Sequence, residues 1–186
     1  MADITDIRIS FANEEQAAAA AETAKGMIKL FYVIREKDRP AWADEAARFP
    51  TYTQAYAALG EQLAAYDPTE ACPYCAVKRV RQEGKALFID SCGDVVRGFL
   101  LTDGDALFPQ LCAACALRDP GSPFEGECRY EMTVSASVNQ TEIRYDGKLL
   151  CTRELYADDE CEDGEWRFDS RETYAVDPDG TLRELS

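Results

Sequence analysis

Alternating apolar and polar positions predict β-strands at both ends of the chain. Residues 7–11 alternate in this way and indicate a short strand. The eleven residues from Cys128 to Val138 alternate strictly, which predicts one strand with one buried face. Asp146 and Gly147 are the signal of a two-residue hairpin, and a further pair of strands flanks the later DPDG turn. The last third is therefore predicted to form four or five antiparallel strands, covered by the first strand and the long helix that follows it.

Helical spacing of apolar residues dominates the N-terminal part. Asn13, with Gln16 three residues later, resembles a capping box, and residues 14–36 are predicted to form one long helix. A short helical turn is predicted at residues 42–48. The next helix is predicted to begin near Thr51 and to present a stripe of tyrosine and leucine side chains.

The middle of the chain is predicted to be an insertion between the helices and the C-terminal sheet. The stretch AVKRVRQEGKALFID fits a hairpin that turns near Gly84, or alternatively a short helix followed by a strand. DVVRGFLL and ALFPQL flank a TDGD turn and are interpreted as a second hairpin. The stretch LRDPGSPFEGE is typical of a linker. We therefore expect an α+β fold: an N-terminal strand and helices in residues 1–71, a Cys-rich zinc-ribbon-like insertion in residues 72–118, and an antiparallel β-sheet in residues 119–186 that packs on the N-terminal helix.

The charge is strongly negative and unevenly distributed. The net charge is −15 over 186 residues, and residues 119–186 carry 7 basic and 18 acidic side chains, a net charge of −11. Such a surface repels phosphate backbones, so we expect no nucleic-acid partner, and it suits a basic protein partner. The acidic stretch between the later strands is the predicted contact with that partner: Asp158, Asp159, Glu160, Glu162, Asp163 and Glu165.

The cysteine content points to metal or free thiols. The sequence has eight cysteines, no apolar run of about 18 residues and no basic-then-apolar leader at its start, so we expect a reducing, cytoplasmic location and no membrane partner. Thiols stay reduced there, and paired cysteines in that setting commonly bind metal. We interpret the unpaired ones as inert thiols: Cys92, Cys128, Cys151 and Cys161. The alternative is a disulfide between Cys151 and Cys161, which would form in an oxidising compartment.

Two Cys-x-x-Cys pairs predict a structural zinc site. Cys72 and Cys75 form one pair, Cys112 and Cys115 the other, with 36 residues between them. A turn with this spacing lets both sulfurs face one ion, and two such turns complete a thiolate tetrahedron that zinc accepts. The same four sulfurs could also hold an iron–sulfur cluster. A four-thiolate zinc is closed to substrate, so we expect it to stabilise the fold.

The stretch Cys-Pro-Tyr-Cys also has a redox interpretation. It resembles the active-site tetrapeptide of glutaredoxins, in which the first thiol has a lowered pKa at a helix N-terminus. The resemblance implies a thiol–disulfide oxidoreductase with Cys72 as nucleophile and Cys75 as resolving thiol. A second alternative is a zinc-ribbon nucleic-acid-binding module that uses a small basic patch: Lys78, Arg79, Arg81 and Lys85.

The absence of histidine narrows the possible functions. The chain has none, which excludes serine–histidine and cysteine–histidine catalytic arrangements within it. It also lacks a phosphate-binding Gly-x-x-x-x-Gly-Lys loop. We therefore predict a non-enzymatic interaction or adaptor protein with a structural zinc site, one variant being a nucleic-acid mimic that presents its acidic side chains.

Overall fold

A computed structural model describes residues 4–66, 80–92, 107–132, 137–157 and 167–185 of the chain. Within these ranges the helices are α1 (Glu14–Val33), α2 (Ala41–Ala46), α3 (Tyr52–Ala65) and α4 (Leu107–Arg118). The strands are β1 (Ile4–Ser10), β2 (Val80–Glu83), β3 (Ala86–Cys92), β4 (Phe124–Met132), β5 (Ser137–Tyr145), β6 (Leu149–Ala157), β7 (Arg167–Val176) and β8 (Leu182–Leu185). Among the described helices, none is both long and apolar enough to cross a lipid bilayer.

All eight described strands form one antiparallel sheet, in the order β2-β3-β1-β4-β5-β6-β7-β8. Strand β1 lies in the middle, with Ile7 opposite Ile89 of β3 on one side and opposite Cys128 of β4 on the other. The three segments predicted from the sequence therefore all contribute strands to the same sheet. The predicted α+β class is confirmed, as are the five strands of the last third.

One face of the sheet is buried and carries the helices, while the other face is exposed. In β1, Ile7 and Ile9 are buried, whereas Asp6, Arg8 and Ser10 are exposed. Helix α1 packs on β2 and β3, and α4 packs on β5, β6 and β7. The largest fully buried side chains belong to one hydrophobic core: Phe108, Ile7, Ile9, Met27, Ile28, Leu30, Leu59, Leu63, Leu87, Ile89 and Leu107.

The predicted helix starts and turns are where the sequence placed them. The Asn13 side-chain oxygen accepts the Gln16 N–H at 2.9 Å, and Thr51 Oγ1 accepts the Gln54 N–H at 3.2 Å, so both helices begin at the expected caps. Gly84 turns β2 into β3 with φ of +57°. The hairpin between β5 and β6 has a loop of three residues around Gly147, whose φ is +96°, where two were predicted.

Three expectations are wrong. The alternating run from Cys128 to Val138 is not one strand, because Glu131 of β4 pairs with Val138 of β5 and the chain therefore reverses between them. No Gly, Pro or Asn marks that reversal, so the alternation runs through it. Strand β1 does not cover the sheet but belongs to it. The segment after the TDGD stretch was predicted to be one arm of a hairpin and is instead the start of helix α4, whereas DVVRGFLL lies outside the described residues.

Candidate functional site

Half of the predicted zinc site lies on helix α4, with both thiols in the core. Cys112 and Cys115 are three residues apart on α4, so their side chains leave the same side of the helix, and both are buried. A turn was predicted here. Pro109 falls in the first turn of α4, where its missing N–H removes no helical hydrogen bond, so it does not interrupt the helix. Cys72 and Cys75 lie outside the described residues.

Two further buried thiols lie close enough to Cys112 to influence its ionisation. These are Cys128 on β4 and Cys151 on β6. The pKa of Cys112 is raised by burial first and by Cys115 next. Burial also raises the pKa of Cys115 to about 12. With raised pKa values, these thiols are protonated at neutral pH. A metal ion that binds them has to displace the protons, because cysteine binds metal as a thiolate.

The described residues contain only part of any four-thiolate site. Within residues 4–66, 80–92, 107–132, 137–157 and 167–185, no three Cys, Asp or Glu side chains are grouped so as to hold a metal ion. The i, i+3 spacing of Cys112 and Cys115 fits two ligands of one ion. Zinc binding therefore stays a prediction that depends on Cys72 and Cys75 reaching this pair.

The predicted contact residues for a basic partner also fall outside the described part of the chain. The segment that joins β6 to β7 contains all six: Asp158, Asp159, Glu160, Glu162, Asp163 and Glu165. Their use as a binding surface stays a prediction that rests on sequence and charge.

The described half of the predicted basic patch is partly neutralised. The Arg81 guanidinium forms an ion pair with Glu83 on its own strand and another with Asp90 on β3, the latter at 3.1 Å. These partners are local and do not belong to the acidic C-terminal third. Lys85 is exposed in the adjacent turn, and Lys78 and Arg79 lie outside the described residues.

A cleft that the sequence did not predict lies on the other side of α4. It has a volume of about 730 Å³ and is lined by α4, by the adjoining ends of β5, β6 and β7, by the turns that follow β5 and β7, and by β8. Leu149 and Val176 contribute buried apolar surface to its wall. Three of its leucines are exposed, Leu117 by 51%, Leu150 by 42% and Leu185 by 38%.

These leucines stand out in the described part of the chain. Only four large hydrophobic side chains are exposed there, and the fourth is Phe168, 57% exposed and on β7 away from the cleft. Exposed apolar surface on a folded protein is normally scattered, so its concentration in one concave place is a feature of binding sites.

The charged residues that line the cleft have a net positive charge, whereas the chain as a whole has a net negative charge. Lys148, Arg183 and Asp177 are the charged residues of its lining, which gives a local net charge of +1 in a chain of −15. Arg183 Nη2 lies 3.1 Å from Asp177 Oδ1, so these two charges largely satisfy each other. Lys148 is exposed in the turn after Gly147 and forms no ion pair with any described residue.

Sequence reasoning missed the cleft because its walls come from three distant segments. Leu117 fell in the predicted linker, and Leu185 looked like one more alternating apolar position. One local signal was available in Leu149 and Leu150: adjacent strand residues point to opposite faces, so a Leu-Leu pair places one leucine on the exposed face.

Comparisons with known proteins do not identify the chain. No protein-family model matches it, and no curated protein or solved structure is significantly similar to it.

Proposed function

We propose that this protein is a non-enzymatic binding protein and that the cleft beside α4 binds an apolar ligand. The observation that supports this is the gathering of three of the four exposed large hydrophobic side chains of the described residues around one cleft. Covering apolar surface gains roughly 25 cal/mol per Å² removed from water. The exposed leucines thus provide free energy that a ligand can use without any rearrangement of the core.

Two predictions from the sequence complete the proposal. A zinc ion held by Cys72, Cys75, Cys112 and Cys115 would stabilise the zinc-ribbon-like part of the chain. Its role would be structural and not catalytic, since a four-thiolate zinc has no open position for substrate. The net charge of −11 in residues 119–186 favours a basic protein as an additional partner.

Binding of Nile red, an uncharged apolar dye, tests the proposal on the intact chain. We expect the fluorescence of the dye to rise on binding. Leu117→Ser should weaken the affinity about fivefold, because covering the exposed half of a leucine contributes about 1 kcal/mol. Phe168→Ser is the matched control, since it removes an equally exposed side chain outside the cleft. It should leave the affinity unchanged.

Two results would contradict the proposal. One is the absence of dye binding to the wild-type chain; the other is an equal loss of affinity in both variants, which would indicate non-specific adsorption.

Reduction of insulin or glutathione disulfides that Cys72→Ser abolishes would instead favour the oxidoreductase alternative. The amide signals of Gly147 and Lys148 in a nuclear magnetic resonance titration would report binding at the cleft directly.

A further inference from the structure

The cleft combines an apolar wall with a cation that no described acidic residue pairs. Leu117, Leu149 and Val176 form part of the wall, and Lys148 lies in the same lining. The Lys148 ammonium has no acidic partner among the described residues, whereas Asp177 is already paired with Arg183. A cationic ligand would therefore meet an uncompensated like charge, and an anionic ligand would meet an available opposite one.

We propose that the cleft binds a small amphipathic anion, with its apolar body against the leucine wall and its anionic group at Lys148. This inference rests on the proposed binding function of the cleft and adds the chemical class of the ligand. The volume of about 730 Å³ lies within the range of roughly 300 to 1,000 Å³ that is usual for small-molecule sites.

The overall negative charge does not oppose such a ligand at close range. At physiological ionic strength, charges further apart than about 8 Å are largely screened in solvent. The acidic residues elsewhere on the chain therefore lower the rate of encounter more than the affinity. Once the anion is in the cleft, the groups that line it contribute most to its affinity, and the described charged residues of the lining carry a net charge of +1.

A pair of probes that differ only in charge isolates the effect of Lys148. Octanoate and octanamide have the same apolar chain, so calorimetric titration of both into the full chain separates apolar from ionic recognition. We expect octanoate to bind about three- to tenfold more tightly than octanamide, the range for a solvent-accessible charged contact. High salt should reduce this ratio.

Three variants identify the group that is responsible. Lys148→Gln should bring the octanoate-to-octanamide ratio close to one. Lys85→Gln is the matched control, because it removes an equally exposed lysine at the β2–β3 turn outside the cleft lining, and it should leave the ratio unchanged. Asp177→Asn should raise the ratio, because it removes the one acid among the described residues of the lining and releases Arg183.

The possible results separate a failure of the anion inference from a failure of the proposed binding function. Equal binding of the two probes, weakened by Leu117→Ser, would overturn the anion inference and leave the binding function intact. Binding of neither octanoate, octanamide nor Nile red would overturn both. A dimer in light scattering that Leu117→Ser dissociates would assign the cleft to a second copy of the chain and overturn the small-ligand inference. An octanoate preference that survives Lys148→Gln would also overturn it.

Discussion

Gly26 on α1 and the ring of Tyr56 on α3 approach each other so closely that no side chain fits between them. A Cβ added at Gly26 would lie 2.5 Å from Tyr56 Cε2 and 3.3 Å from its Cζ. Glycine inside a helix is unfavourable by roughly 1 kcal/mol relative to alanine, so its presence here is explained by this contact. It allows the two longest described helices to pack closely over the sheet.

Replacement of this glycine should destabilise the protein. In Gly26→Ala the ring has to leave its position, and we expect the free energy of unfolding to fall by about 1 kcal/mol, since overpacking outweighs the gain in helix propensity. Urea unfolding followed by circular dichroism measures the change.

Gly60 is the matched control on the neighbouring helix. No atom lies within 4 Å of a Cβ added there, so Gly60→Ala should stabilise the protein by about 0.5–1 kcal/mol. In a Tyr56→Ala background, Gly26→Ala should become stabilising as well. If Gly26→Ala stabilises the wild-type chain as much as Gly60→Ala does, the close contact has no energetic consequence.

Gln110 joins helix α4 to the start of helix α3 through two hydrogen bonds in the core. Its side-chain oxygen accepts the Tyr52 N–H, and its carbonyl oxygen accepts the Thr53 hydroxyl at 2.9 Å. The side chain is only 4% exposed. In Gln110→Leu the hydrogen bond from the Tyr52 N–H to the side chain would be lost, and we expect the unfolding free energy to fall by about 1 kcal/mol.

A Gln→Leu substitution at an exposed position is the control, because it shows how far the change to leucine alone alters the unfolding free energy. Gln62→Leu changes an exposed glutamine of α3 and should stay within about 0.5 kcal/mol of wild type. Equal stabilities of the two variants in urea unfolding would show that the buried hydrogen bond contributes nothing.

Buried thiols make the protein sensitive to alkali. Burial raises the pKa of Cys151 to about 12, while an unfolded cysteine has a pKa of about 8.5. The protonated thiol therefore stabilises the fold fully below about pH 8.5, and this contribution is lost as the pH rises towards 12. Cys151 alone should lower the unfolding free energy by up to about 1.4 kcal/mol per pH unit in that window.

Urea unfolding from about pH 7 to about pH 10 tests this expectation. The informative quantity is the slope of stability against pH, because Cys151→Ala changes the absolute stability through the cavity that it leaves. We expect Cys151→Ala to have a shallower alkaline slope than the wild type. Identical slopes would mean that the thiol is not protected from solvent in the folded state.

The elements that sequence reasoning placed correctly depend on short-range chemistry. The Asn13 cap needs only the Gln16 N–H three residues away, and the turns at Gly84 and Gly147 need only a residue that tolerates positive φ. Such interactions are visible in a window of a few residues. They account for α1, α3 and the hairpins β2–β3 and β5–β6.

The features that were missed depend on contacts between distant segments. Helix α4 contains a proline and two cysteines, and it is fixed by its burial under α1 and α3 rather than by its own helix propensity. The central place of β1 requires pairing with β3 and β4, about 80 and 120 residues away in the sequence. The cleft is a further contact of this kind, since α4 forms one wall and the hairpin ends form the other.

The predicted zinc site would join two buried thiols of the described core, Cys112 and Cys115, to two thiols outside the described residues, Cys72 and Cys75. If Cys72 and Cys75 complete the site on α4, the native mass should contain one zinc ion per chain, and all eight thiols should be free after denaturation. Cobalt substitution should give the absorption of a tetrahedral four-thiolate complex. Removal of the zinc with a chelator should then lower the stability, since ligation contributes on the order of 10 kcal/mol.

Single substitutions decide which thiols bind. Cys112→Ser and Cys72→Ser should each abolish the bound zinc, whereas Cys128→Ser should retain it, although Cys128 is also buried and influences Cys112. Loss of zinc in Cys128→Ser, with retention in Cys72→Ser, would place the site between α4 and the sheet. A native mass two hydrogens lower, restored by a reductant, would contradict the zinc site. It would support a disulfide in its place, and Cys72–Cys75 would be the first pair to map. Burial raises the pKa of Cys112, which disfavours the thiolate that disulfide formation requires.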